Sequence, residues 1–235
     1  MLPGLAWLFF YLQKDANPEP KDMVFLVFLL GAAMGPVAIF VQYFCVKLIP
    51  VFANFFNLGF LLTGNTSLLF LNIILIAPLS EEFLKYLVVR WQVLKNPAFD
   101  EPVDAMIYLI VSALGFASIE NVLNIFFMPG MTSQLAISQS TARFLSATLL
   151  HALSSGILGY FIAYSFLNLK KKRILFWTGF SLAVIFHGFY NYLAWLIEQN
   201  DIFVLMLALL LVLMAGLIGW QFRCLKKQIS ICKIR

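Results

Sequence analysis

Long apolar stretches separated by short polar ones run through the whole chain, and their lengths are those of membrane spans. Crossing the hydrocarbon core takes about 20 mainly apolar residues. Runs of that kind occupy about Met23–Leu48, Leu68–Trp91, Val103–Met128, Thr141–Leu169, Ile174–Ile197 and Ile202–Phe222. Leu2–Leu12 is apolar and aromatic but short, which suits a thin or tilted first span or an interfacial helix. The breaks are equally legible. Lys14–Asp22 is charged and carries Pro18 and Pro20, while Lys170–Arg173 is a basic turn and Glu198–Asp201 an acidic one. Pro50–Ser67 is uncharged and lies in the interface or re-enters the membrane. The pattern predicts an all-α, polytopic membrane helix bundle of about seven transmembrane helices. It forms a single membrane domain over residues 1–235, with no room for a separate soluble domain.

Composition supports this and narrows the partners. The chain is 62% hydrophobic and 11% charged, whereas a soluble domain is about 25% charged. Its net charge of +5 does not indicate nucleic acid, because the basic residues cluster between the apolar runs and read as topology signals. Lys14, Lys21, Arg90, Lys95, Lys170–Arg173 and the tail from Arg223 fall on one side, so the C-terminus is expected in the cytoplasm of a plasma (inner) membrane protein. Cys45, Cys224 and Cys232 form no CxxC and indicate neither a disulfide framework nor a thiolate metal site. A removable signal peptide is not expected, since no basic n-region precedes the first apolar run.

The runs from Leu68 to Ile197 also hold residues that a bilayer disfavours. A charged side chain at membrane depth costs about 2.5–3.5 kcal/mol even on lenient insertion scales. Glu81, Glu82 and Lys85 nevertheless lie within five positions, just after Pro78. Helical spacing lets Lys85 reach either carboxylate. Glu120 and Asn121 follow in the next span, one turn beyond Phe116; His151 follows in the next, and His187 with Asn191 in the one after. Those are the chain's two histidines. The second and seventh spans carry nothing comparable, and Arg143, near the end of its span, reads as a snorkelling cation. A structural ion pair would explain one carboxylate beside Lys85 but not two. Asn191 could orient the His187 imidazole or bind a substrate carbonyl.

Two chemistries fit this set. A glutamate can act as general base on water, with histidine or asparagine stabilising the oxyanion. Alternatively His151, His187 and Glu82 can hold a divalent metal such as zinc, with the adjacent glutamate as base. No HExxH is present, so such a site would be assembled across helices.

Glu81-Glu82-x-x-Lys85, Gly115-Phe116-Ala117-x-x-Glu120-Asn121, His151 with its Ser- and Gly-rich continuation, and His187-x-x-x-Asn191 together resemble the PrsW family of intramembrane proteases, within a wider set that includes CAAX endopeptidases and Abi-type proteins. The motif-bearing core is about residues 66–197. The resemblance implies hydrolysis of a peptide bond in a membrane-associated protein or peptide substrate. It implies catalytic roles for Glu81, Glu82, Glu120, His151 and His187, and supporting roles for Lys85, Phe116, Asn121 and Asn191. A non-catalytic membrane scaffold of the same superfamily and an ion-coupled transporter are the alternatives. No internal repeat supports the transporter.

Overall fold

The structure is a computed structural model that describes residues 2–13, 17–55, 65–127, 130–197 and 199–227. Half of the Pro50–Ser67 connection (residues 56–64), Lys14–Ala16, Pro129, Glu198 and Cys232 lie outside the described residues. Among the described residues the chain is helical, in the order α1 (Leu2–Leu12), α2 (Lys21–Phe55), α3 (Asn65–Leu71), a π-turn (Asn72–Ile76), α4 (Ala77–Gln92), α5 (Asp104–Phe127), α6 (Ser133–Leu145), α7 (Ala147–Leu167), α8 (Lys172–Leu196) and α9 (Ile202–Leu225). A short 3₁₀ turn, Leu169–Lys171, joins α7 to α8. Six helical segments are long and apolar enough to cross a membrane. The first helix, 11 residues and therefore about 16 Å long, falls short of a ~30 Å core.

α5 and α7 form the centre, and the other helices surround them. Nearly every residue of α5 from Asp104 to Ser118 is buried, as is most of α7. α2 and α9 show much of their apolar surface outward, as lipid-facing helices do, with Phe25, Phe40, Leu209 and Val212 all exposed. Where helices cross, small residues let backbones touch. A Cβ on Gly31 would sit 2.1 Å from the Ser112 carbonyl oxygen, and one on Gly115 would sit 2.0 Å from that of Phe28. The α2–α5 crossing is therefore closed by glycine on both helices, as expected where no hydrophobic effect drives association.

Two departures from the sequence pattern shape the site. The apolar run beginning at Leu68 is not one regular helix. Pro78 cannot donate an N–H, and the chain upstream widens into the π-turn, in which the Ala77 N–H bonds the Asn72 carbonyl. The Ile73 carbonyl, which would need the missing Pro78 N–H in that register, instead accepts from Asn191 Nδ2 at 3.1 Å. The span expected from Thr141 is likewise divided, because the chain breaks at Ser146 (φ −122°, ψ −86°). α6 precedes the break, has Thr132 as its N-cap, and buries none of its residues fully. It rests on α1 through the Trp7 Nε1–H donating to the Phe144 carbonyl at 2.9 Å.

Substituting Gly115→Val should force α2 and α5 apart. We expect a loss of about 1–3 kcal/mol, the usual range for overpacking. It would be read as a lower melting temperature of detergent-purified protein, whereas Gly219→Ala, where a Cβ meets open space, should leave it unchanged.

Candidate functional site

The expected polar residues of α4, α5, α7 and α8 come together in one cluster. Its anchor is Lys85 with Glu82, both fully buried, with Nζ 2.8 Å from Oε1. Buried carboxylates need every lone pair engaged. Glu82 meets that need: Ser154 Oγ donates to its Oε1 at 3.0 Å, Ser155 Oγ to its Oε2 at 2.7 Å, and His187 Nδ1 to its Oε1 at 2.9 Å. Phe116 packs beneath, its ring centroid 4.7 Å from the Lys85 ammonium and 5.6 Å from the His151 ring. That contact adds a cation–π term where water is absent.

Glu120 and Arg143 form a second cation–carboxylate pair at 2.7 Å, about a quarter to a third exposed. Arg143 does not snorkel away. Its Nε–H donates to Asn121 Oδ1, and Asn121 Nδ2 donates to Thr148 Oγ1 at 2.9 Å. The break at Ser146 is what turns the end of α6, with Arg143, toward α5. Glu120 Oε2 in turn accepts from His151 Nε2 at 2.7 Å.

These partners fix both tautomers. His187 donates through Nδ1 to Glu82, leaving a lone pair on Nε2; His151 donates through Nε2 to Glu120, leaving one on Nδ1. Both lone pairs face Glu81 Oε2, at 3.6 Å from His187 Nε2 and 3.9 Å from His151 Nδ1. Glu81 Oε2 is buried and has no hydrogen-bond partner, whereas Oε1 accepts from Gln42 Nε2 at 3.2 Å. An unpaired buried acceptor costs about 1–3 kcal/mol, more when charged.

One expectation from the sequence changes here. Glu81, not Glu82, forms with His151 and His187 the group whose ligand atoms lie within 4.8 Å of one another. Glu82 is committed to Lys85, the two serines and His187. The orphaned Glu81 oxygen and two convergent imidazole lone pairs make an O,N,N donor set that suits a divalent cation such as zinc. The Lys85 ammonium stands 2.8 Å from His151 Nδ1, so a metal would take the lone pair that Lys85 engages in this structure.

Asn191 is also placed differently from expectation. Its amide donates to the Ile73 carbonyl, so it braces the π-turn and does not orient His187. Gly188 completes that brace: a Cβ there would lie 2.2 Å from the Ile74 carbonyl oxygen. Gln42 was overlooked in the second span; its signal was a lone carboxamide in an apolar run. Two cavities meet at Glu81, Glu120 and Arg143. One, of about 620 Å³, lies between α2, α5 and α6; the other, of about 300 Å³, lies against the π-turn and α8.

A polytopic helical protein with carboxylates and imidazoles converging on a cavity inside the membrane belongs to the intramembrane hydrolases in its architecture and chemistry. The PrsW family of intramembrane metalloproteases matches residues 19–217. Protease PrsW of Geobacillus kaustophilus is 31% identical over 192 residues, covering 81% of this chain and 76% of that protein. Protease PrsW of Bacillus subtilis is 29% identical over 198 residues (81% and 78%), and that of Clostridioides difficile 26% identical over 216 residues (91% and 84%). No solved structure is a significant match. The chain is a multi-pass integral membrane protein and belongs to the PrsW family of intramembrane proteases.

The buried pair makes a prediction separable from activity. Lys85→Met leaves Glu82 as an uncompensated buried charge, and Glu82→Gln does the same to Lys85; each should cost about 3–5 kcal/mol. The double variant should recover most of that loss, as read from melting temperatures of all three purified proteins.

Proposed function

We propose that Glu81 is the residue that handles the attacking water in this protease, and that Glu82 is not. The observation that carries this is the orphaned Glu81 Oε2, buried where the two cavities meet and faced by two imidazole lone pairs. A peptide carbonyl entering along the cavities passes Glu120 and Arg143 and meets that oxygen where the cavities join. Glu81 Oε2 then accepts the proton of the water as its oxygen attacks the carbonyl carbon, and returns that proton to the leaving amine as the C–N bond breaks.

The remaining residues hold this geometry. Gln42 fixes Glu81 through Oε1, so the other oxygen stays turned to the imidazoles. Glu82 and Glu120 set the tautomers of His187 and His151, as carboxylates behind ligating or catalytic histidines do. Lys85 engages Glu82 and Arg143 engages Glu120, so both carboxylates already have closer partners than a water. Phe116, Asn121 and Asn191 support them by packing, by anchoring Arg143 and by bracing the π-turn. Glu81, His151 and His187 would hold the metal that the family description implies, and Glu81 Oε2 would then serve as a ligand in place of a base. When bound, the metal supplies Lewis-acid polarisation of the carbonyl and a more acidic water.

The substrate is a protein segment in or against the bilayer. Loop charge supports an orientation with the C-terminus in the cytoplasm, in the plasma (inner) membrane, and the motifs support one catalytic domain with its core at about residues 66–197.

Glu81→Gln should lower cleavage of a membrane-tethered reporter by about 10²–10⁴-fold, the usual worth of a general base, while the melting temperature holds. Cleavage at the wild-type rate would refute the assignment. Gln42→Leu should lower kcat by roughly 10–100-fold, the range for partners that orient a site group from behind. Elemental analysis of wild type and His151→Ala tests the metal: stoichiometric zinc in the first and its loss in the second are expected, and full activity of metal-free protein would exclude it.

A further inference from the structure

Among the polar groups of the smaller cavity that the reaction described above does not use, one stands without a hydrogen-bond partner. Asn72 opens the π-turn and is the one carboxamide in the run from Leu68 to Ile76. It lines the cavity of about 300 Å³ together with Glu81 and His187. Its side-chain Oδ1 is buried and has no hydrogen-bond partner. Its backbone carbonyl is already taken by the Ala77 N–H, so the side chain alone is open. The nearby carboxamide of Asn191 donates to the Ile73 carbonyl and makes no hydrogen bond to Asn72 Oδ1.

Native proteins rarely bury an amide oxygen without a donor, and those that do commonly leave the donor to come from elsewhere. What can reach Asn72 is whatever enters the cavity, and the place is defined by its neighbours. Glu81 lines both this cavity and the larger one, so a chain crossing Glu81 has one side in each. An extended polypeptide presents backbone N–H donors on the way past, and a carboxamide is their natural complement. Leu150, Ala194 and Trp195 give the cavity an apolar stretch of wall, which suits a side chain of that polypeptide.

We propose that Asn72 is a substrate-binding residue: its Oδ1 accepts a backbone N–H of the membrane protein substrate in the small cavity, registering the strand so that the scissile carbonyl lies at Glu81. Ala194 and Trp195 limit the side chain admitted on that side. The proposal rests on the protease reading and adds to it the group that fixes the substrate's register.

The test is Asn72→Leu, near in shape and without the acceptor. With a membrane-tethered peptide reporter, KM should rise about tenfold, equivalent to about 1.4 kcal/mol, while kcat changes less than about threefold. Zinc content should be unchanged, and the melting temperature should hold or rise, because an unpartnered buried oxygen has been removed. The same tenfold loss should appear as weaker reporter binding in a Glu81→Gln background, where nothing is cut. Unchanged KM and binding would overturn the proposal, and so would a fall in kcat accompanied by a lower melting temperature, which would mark Asn72 as structural. Ala194→Trp supplies the second arm. It should reject reporters with a bulky residue on that side while still cutting those with glycine or alanine there, and a uniform loss across reporters would count against the cavity. The two levels fail separately. If Glu81→Gln abolishes cleavage but Asn72→Leu binds normally, the Asn72 role falls and the protease reading stands. If Asn72→Leu weakens binding while Glu81→Gln cuts like wild type, the strand site stands and the role of Glu81 falls.

Discussion

The ion pair of Lys85 with Glu82 is the constraint from which the rest of the site follows. Both side chains are fully buried, and a lone charge in that position would cost several kcal/mol. Each must therefore be compensated, and the compensation reaches across the bundle. Ser154 and Ser155 of α7 and His187 of α8 turn inward to satisfy one carboxylate of α4. Meeting that one demand brings three helices into register, and it fixes the His187 tautomer as a by-product.

Seen from Glu81, the site is built twice. On one side a cation, Lys85, holds a carboxylate, Glu82, which holds the imidazole of His187. On the other, Arg143 holds Glu120, which holds His151. Each chain of contacts ends in an imidazole nitrogen near the same Glu81 oxygen, His187 Nε2 at 3.6 Å and His151 Nδ1 at 3.9 Å, and the latter also meets Lys85 Nζ at 2.8 Å. The two imidazoles meet nearly at right angles, with centroids 4.9 Å apart. This explains why five carboxylate and imidazole groups can share a small volume inside a membrane. Four of them neutralise or orient one another, and one is left over.

The spans and the clustering of Glu81, Glu82, Lys85, Glu120, His151 and His187 were legible in the sequence because a bilayer makes polar exceptions conspicuous. Which glutamate Lys85 binds more closely was not legible, since i,i+3 and i,i+4 spacing allows it either partner, and it stands 2.8 Å from Glu82 but 3.9 Å from Glu81. Ser154 and Ser155 decide it, from another helix. The role of Asn191 was hidden for a similar reason. Its partner is a backbone carbonyl exposed only because Pro78 disturbs the helix some 113 residues earlier in the chain. Arg143 looked like a snorkelling cation because nothing in Thr141–Leu169 announces the break at Ser146. Gln42 and Asn72 were visible as lone carboxamides in apolar runs, but without a fold nothing showed what they faced.

The two halves of the site differ in one physical respect, and it bears on how substrate meets the enzyme. Lys85 and Glu82 are sealed at 0% exposure, whereas Arg143 and Glu120 keep 23% and 31% of their side chains exposed and line both cavities. The first pair sits in low dielectric, where breaking it is costly, and α4, α7 and α8 hold it from all sides. The second is partly exposed, and its Arg143 is carried on α6, a helix with no fully buried residue, so it is the weaker pair. His187 is thereby held by the sealed half, while His151 bridges the two, with Nε2 on Glu120 and Nδ1 2.8 Å from Lys85 Nζ. A polypeptide passing between the cavities contacts Arg143 and Glu120, and hence can affect the group that orients His151, reaching the Lys85–Glu82–His187 half only through the His151–Lys85 contact.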